Sequence, residues 1–256
     1  RQEKTHFNPT DEIGRIGNEF IRVVEENEKL TTNLYKSLYQ EKESELIALQ
    51  SQINPHFLYN ALDSIFWMAE EHNAPDISHM TVALSNMFKL SLNNGEKLIT
   101  IRKELEMVQS YITIQKVRFE DRIRVITSVE EGILDLKIVK FILQPLVENS
   151  VIHGLEGKKG MGFLWIGAKK QGDNLLITIK DNGVGLTREE TEQIFTAGNQ
   201  KGVHYNKVGV KNVQERIQLL YGEQYGLSFE SRKGEYTLVK VILPFEKEPV
   251  MEDIKD

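Results

Sequence analysis

The chain has 256 residues, 40% hydrophobic and 27% charged, with a formal net charge of -6 and no cysteine. The length allows two ordinary domains of soluble globular composition. The negative balance argues against wholesale nucleic-acid binding. The lack of cysteine excludes disulfides and thiolate metal sites and fits a reducing compartment. Neither a run of about 18 apolar residues nor a secretory leader can be read in it. The chain begins at Arg1 inside a polar stretch, so it is expected to be a piece of a longer protein.

Residues 1–10 read as a frayed end, with Asn8-Pro9-Thr10 as a breaker. Thr10 is placed to cap a helix whose first turn holds Asp11 and Glu12. Ile13, Ile16, Phe20, Val23, Leu30, Leu34 and Leu38 then recur at coiled-coil-like spacings, with Asn27 as a polar position. From Asp11 to about His72 only Pro55 interrupts the pattern, so a straight helix there would be roughly 90 Å long. A single amphipathic helix cannot bury its stripe alone, so a partner chain or a returning helix is required.

A histidine follows that proline, in Gln52-Ile53-Asn54-Pro55-His56-Phe57-Leu58-Tyr59-Asn60. Proline inside a helix costs on the order of 3 kcal/mol, which a plain structural rod would not spend. At helical spacing Gln52, His56, Asn60 and Asp63 form a polar stripe beside Ile53, Phe57, Ala61 and Ile65. His56 thus sits at the edge of an apolar face, and a neutral imidazole nitrogen is a good nucleophile. Taken alone, it reads equally as a surface histidine beside a kink.

Asn73-Ala74-Pro75-Asp76 ends this helix. Asp76 or Ser78 is expected to cap a second, with Met80, Leu84, Met87, Phe88 and Leu92 as apolar positions, ending at Asn93-Asn94-Gly95. Helix, turn and helix make an antiparallel hairpin, and two copies would close a four-helix bundle around Phe57, Ile65, Leu84 and Phe88. A third helix from Ile101 to Phe119 leads into the second domain. There the period changes. Arg122–Thr127, Phe163–Ala168, Leu175–Lys180, Leu227–Ser231 and Thr237–Leu243 read as strands, and Leu136–His153, Thr187–Phe195 and Val208–Tyr221 as helices. The segment 196–207 is rich in Gly, Asn and Lys. This is an α+β domain, an antiparallel or mixed sheet covered by helices on one face.

Three motifs in this domain carry chemistry. Leu143-Gln144-Pro145-Leu146-Val147-Glu148-Asn149-Ser150-Val151-Ile152-His153-Gly154 puts Glu148, Asn149 and His153 within about one helical turn. A side-chain amide oxygen there would suit Mg²⁺, which binds through few protein groups plus phosphates. Asp181-Asn182-Gly183-Val184-Gly185 follows a strand. Its glycines allow a close turn, and the carboxylate could accept a hydrogen bond from an amine such as that of adenine. Val208-Gly209-Val210-Lys211 opens a helix after a loop, where backbone amides favour phosphate. Singly these read as a polar helix end, a hairpin turn and an ordinary helix start.

Together and in this order they resemble the N box and the two glycine boxes of the GHKL ATP-binding fold, shared by sensor histidine kinases, gyrase-type ATPases and Hsp90-like chaperones. Pro55-His56-Phe57-Leu58-Tyr59-Asn60 with Gln144-Pro145-Leu146-Val147-Glu148-Asn149 resembles the LytS/YesM-type subgroup of sensor histidine kinases. Asp11–Phe20 is similar to the second helix of a HAMP signal-relay module. The resemblance implies a helical dimerisation hairpin that forms a four-helix bundle in the dimer, followed by an α/β sandwich ATPase domain. The expected divisions are a HAMP remnant and signalling helix at 1–40, phosphotransfer helices at 41–118, the ATP-binding domain at 119–247 and a tail at 248–256.

It further implies ATP-dependent autophosphorylation of His56 and transfer to a response-regulator aspartate. Asn149 would ligate Mg²⁺, with His153 beside the nucleotide. Asp181 would read adenine in a pocket shaped by Gly183 and Gly185. Residues 187–208 would be a lid, and Gly209 and Lys211 would meet phosphates, with Thr237 kept at the pocket edge although Gly234-Glu235-Tyr236-Thr237 lacks the usual second glycine. Phe57 stands where many relatives carry an acid, which leaves Asn60 and Glu148 as candidates to orient the ring and take its proton. Ile152 replaces a frequent lysine, so Lys207, Lys211 or Arg118 would supply the phosphate-neutralising cation. Implied partners are a second copy and a cytoplasmic response regulator, without nucleic acid, and a membrane reached only through segments outside this chain. A GHKL ATPase or serine kinase, or a non-catalytic scaffold, are the alternatives.

Overall fold

The computed structural model describes scattered residues between 12 and 37, then 55–91, 96–120, 122–194 and 207–245. The expected cap at Thr10, the helix end at Asn93-Asn94-Gly95, the tail and most of the lid lie outside these. The chain divides into two compact units, Arg1–Leu58 and Tyr59–Asp256. In the first, the described residues between Glu12 and Ser37 are helical. Ile16, Phe20 and Leu30 are exposed there at 65–70%.

Helix α1 (Pro55–Glu71) is closed by backbone geometry. Asn73 adopts φ 52°, the Asn73 amide donates to Glu70 O and the Ala74 amide to Ala69 O. That left-handed closure is one that Asn tolerates better than most residues. Helix α2 (Pro75–Ser91) then starts with proline at its first position, where no amide is needed. The capping position therefore falls on Ala74, whose carbonyl accepts from Ile77 and Ser78. Neither Asp76 nor Ser78 is the cap that the sequence suggested; the Ser78 hydroxyl instead donates to Pro75 O. Leu62 and Ala69 on α1 and Thr81 and Ala83 on α2 are buried, whereas Phe57, Ile65, Trp67 and Met68 remain exposed.

Strand β1 (Leu98–Thr100) pairs antiparallel with β3 (Lys137–Val139), a short ladder absent from the sequence expectation. Thr100 then caps helix α3 (Ile101–Arg118) by accepting from the Lys103 amide. Helix α3, expected to lead from the helical region into the next, buries Ile101, Val108, Tyr111 and Ile112 in the same core as the main sheet.

The main sheet holds β2 (Ile123–Val129), β4 (Gly162–Gln171), β5 (Asn174–Asp181), β7 (Tyr236–Pro244) and β6 (Gly226–Arg232), in that spatial order. It is mixed: β2 runs parallel to β4, and every other pairing is antiparallel. Alternation sends Leu164, Ile166, Leu175, Ile177, Ile179, Val239 and Val241 inward, against α3, α4 (Leu143–Asn149) and α6 (Lys207–Tyr221). Complete burial of a dozen such side chains, each worth roughly 1.5–3 kcal/mol, is the main source of stability for this unit.

One expected helix, Leu136–His153, is broken into three pieces. Residues 137–139 are strand, Phe141 has φ 60°, and only then does α4 begin. The break is held from elsewhere in the chain. The Glu104 carboxylate, fully buried on α3, accepts from the amides of Phe141 (2.6 Å), Ile142 (3.2 Å) and Leu143 (2.9 Å). After Asn149 the helix widens into a π-helical turn (Ser150–Leu155), with the Glu156 amide donating to Val151 O. Lys140 sits at this junction. Its Nζ donates to Ser91 O at the end of α2 (2.9 Å), and its own carbonyl accepts from Arg216 of α6 (2.8 Å). The hairpin, the Asn149 helix and the helix after the lid thus meet at one residue.

Candidate functional site

Asp181 is the centre of the site. It ends β5, is fully buried, and its Oδ1 accepts from the Gly183 amide at 2.9 Å. Oδ2 has no hydrogen-bond partner, and neither does the nearby Ser150 hydroxyl. Burial pushes the Asp181 carboxyl up to about 6, against the downward pull of the Gly183 amide that donates to Oδ1. A buried carboxylate oxygen left without a donor is costly unless something brings one. The exocyclic amine of adenine is such a donor, so the residues present fit an adenine nucleotide.

The surroundings are built to hold that carboxylate close to backbone. A Cβ on Gly154 would lie 2.8 Å from Asp181 Oδ1, so only glycine lets the π-turn approach. The π-turn is what brings Gly154 there, and such bulges concentrate at functional sites. Gly154 O accepts from the Val184 amide (2.9 Å), and Val184 O from the Gly234 amide (2.7 Å). The loop 181–186 is therefore pinned between the Asn149 segment and the β6–β7 turn. A Cβ on Gly183 would meet Gly154 O at 2.2 Å, and Gly185, at φ 59°, would meet Arg232 O at 2.1 Å. Gly183→Ala is expected to force the loop from Gly154 and to lower nucleotide affinity at least tenfold, measured by calorimetry; unaltered affinity would show the loop free to shift.

The other expected residues are placed as follows. Thr237 is buried on β7 directly across from Asp181, its hydroxyl 3.1 Å from that of Ser231. Asn149 is buried at the last turn of α4, and His153 is half-buried within the π-turn, so the simple one-turn spacing expected for this pair is altered. Glu148 is half-buried, its Oε1 accepting from Gln144 Nε2 at 2.8 Å. Gly209 is half-buried in the first turn of α6. Lys211 is exposed and pairs with Glu215 at 3.4 Å, one turn along the same helix. His56 is exposed in the first turn of α1, with Asn60 one turn on. Of the lid, Thr187 and Glu190 form a reciprocal capping box on the short helix α5 (Arg188–Glu192). Sequence reading missed Ser150 and Gly154; both lie in the Asn149 motif, where a small polar residue and a glycine were available as signals.

Two family models match: "Histidine kinase" over residues 44–123 and "Histidine kinase-, DNA gyrase B-, and HSP90-like ATPase" over residues 134–247. The chain is 35% identical over 241 residues to "Sensor histidine kinase YesM" of Bacillus subtilis (strain 168), covering 94% of this chain and 40% of that protein. The chain belongs to the histidine kinase family. It is also 35% identical over 211 residues to "Sensor protein LytS" of Oceanobacillus iheyensis, covering 80% of this chain and 35% of that relative. Over 209 residues it is 35% identical to "Sensor histidine kinase YpdA" of Escherichia coli (strain K12), covering 81% and 35%. The chain spans two fifths or less of the length of these relatives. Residues 134–247 of this histidine kinase chain are an ATP-binding domain. Among the described residues no helix is long and apolar enough to cross a membrane.

Proposed function

We propose that this chain is the kinase portion of a sensor histidine kinase that phosphorylates His56 with ATP. The observation that carries the reading is the Asp181 carboxylate, buried with one oxygen unpaired and clamped by Gly154 and Gly183, in a chain that also holds Pro55-His56-Phe57-Leu58-Tyr59-Asn60. Asp181 accepts from adenine, and the loop 181–186 walls the ring. Gly209 and the start of α6, with Lys211, face the phosphates. Asn149 is the proposed ligand of a Mg²⁺ ion, which supplies charge neutralisation at the phosphates when bound. His153 lines the nucleotide beside it.

In the transfer, a neutral imidazole nitrogen of His56 forms a bond to the γ-phosphorus as the bond to the bridging oxygen breaks. ADP leaves with that electron pair, and the ring's N–H proton is released, Glu148 being the proposed acceptor and Asn60 the orienting group. An aspartate carboxylate of a response regulator then takes the phosphoryl group as the N–P bond breaks. The exposed row Phe57, Ile65 and Met68 on α1 supports a homodimer closing a four-helix bundle. Domain limits at 40, 118 and 247, a HAMP-like start, and attachment to the cytoplasmic face of the membrane through segments outside this chain complete the proposal.

Incubation with γ-labelled ATP and Mg²⁺ is expected to give an acid-labile, base-stable label. Its absence from His56→Gln places it on that ring. Label persisting in that variant, or steady hydrolysis with no label at all, overturns the reading.

A further inference from the structure

Residues 139–143 run from β3 into the Asn149 helix, and their geometry is set largely by other elements. Lys140 has three polar groups, and each goes to a different one. Its amide donates to Lys97 O, just ahead of β1 (3.0 Å). Its carbonyl accepts from Arg216 of α6 (2.8 Å), and its Nζ donates to Ser91 O at the last residue of α2 (2.9 Å). The neighbours are held likewise. The Val139 amide donates to Tyr221 Oη on α6 (3.2 Å), and Glu104 of α3 takes the next three amides after Lys140. Phe141 sits among them at φ 60°. A bulky residue is strained there and keeps that conformation only while its surroundings impose it.

Lys140 is 7% exposed, and burial works against its charge. An unbranched apolar side chain would fill the same space. What the ammonium adds is the bond to Ser91 O, with the Glu104 and Glu96 carboxylates nearby. The Ser91 carbonyl is one of the last four of α2, which have no acceptor role inside their own helix, and a cation is favoured at that end. The bond is thus made to the helix end itself. A shift of α2 along its axis, or a turn about it, moves the atom that Lys140 holds.

On the nucleotide placement proposed above, ATP is met by two elements that Lys140 joins to α2. These are α4, which carries Asn149, and α6, whose first turn carries Gly209. We infer that Lys140 is a positioning residue that couples the end of the hairpin to the nucleotide pocket. A displacement of Ser91 moves residues 139–143, and with them the start of α4 and the grip on α6. By reciprocity, a nucleotide that fixes α4 and α6 steadies the last turns of α2. Every residue of this tie lies in the unit Tyr59–Asp256, and none of it requires contact with His56.

Hydrogen exchange of the whole chain, with and without ADP and Mg²⁺, reads the coupling. In the parent, nucleotide is expected to slow exchange in the last two turns of α2 (residues 84–91) by about fivefold or more, the lower end for coupled sites. Lys140→Met keeps the length of the side chain and loses the bond to Ser91. It is expected to bind ADP within threefold of the parent while the response in α2 disappears. Lys140→Arg can still donate to Ser91 O and is expected to restore it. Arg216→Met cuts the same route at α6 and should lower the response with the Ser91 bond intact. An α2 that ignores nucleotide in the parent, or a full response in Lys140→Met, overturns the coupling. Lys140→Met that loses Tm and ADP affinity together, unrepaired by arginine, marks a merely structural residue and overturns it too. A parent that binds no ADP condemns instead the nucleotide placement on which the inference rests.

Discussion

Asp181→Asn is expected to lose ATP binding and, without nucleotide, to make the protein more stable at pH 7.5. Both effects follow from the same carboxylate. Its Oδ1 is committed to the Gly183 amide, so an asparagine there must turn its carbonyl oxygen to Gly183. Its NH₂ then faces the adenine amine, donor against donor. Loss of one buried hydrogen bond with an unpaired donor left on each side costs about 3 kcal/mol, on the order of a hundredfold in affinity.

The stability gain comes from the charge. Burial raises the folded-state pKa from 3.8 to about 6, so between those values the folded protein binds more proton than the unfolded chain. Stability therefore falls as pH rises through that window and stays lowered above it, by up to about 3 kcal/mol at roughly 1.4 kcal/mol per pH unit. Asparagine has no such slope. The stability difference between variant and parent should be largest at pH 7.5 and shrink toward pH 5, measured by calorimetry at both. ATP bound within threefold of the parent would remove Asp181 from adenine recognition; a difference independent of pH would remove the burial argument.

Strands β4, β5 and β7 were legible because each alternates cleanly. The three-residue ladder of β1 and β3 was not, since so short a strand exists only by virtue of a distant partner. The true start of α4 was hidden for a related reason. Ile142 offers no side-chain cap, and the cap comes from Glu104, far back in the chain. The π-turn after Asn149 was hidden because the close approach of Gly154 to Asp181 that it makes is a contact that sequence spacing does not encode. Asn149, Asp181, Gly183 and Gly185 stood out because their motifs break the local pattern of the elements carrying them.

Glu104→Leu tests the opposite balance between burial and hydrogen bonding, and is expected to destabilise by about 3–5 kcal/mol. Burial pushes the Glu104 carboxyl up, opposed by the three amides and by Lys140. On desolvation alone, a leucine of similar size would be neutral or stabilising, as replacement of whole buried ion pairs often is. Here the partners are backbone amides of Phe141, Ile142 and Leu143, which no side-chain replacement removes. Leucine leaves them buried and unpaired at the positive end of α4, and the left-handed Phe141 loses what holds it. The orphaned amides outweigh the relieved charge. Glu104→Gln keeps one acceptor oxygen but turns an NH₂ toward an amide, so its loss should be intermediate. Because Lys140 joins the same residues to Ser91 and Arg216, the damage should reach the Asn149 helix and weaken nucleotide binding as well. Urea unfolding of the series should rank parent above Gln above Leu. A leucine variant as stable as the parent would show that desolvation, not the amides, decides this site.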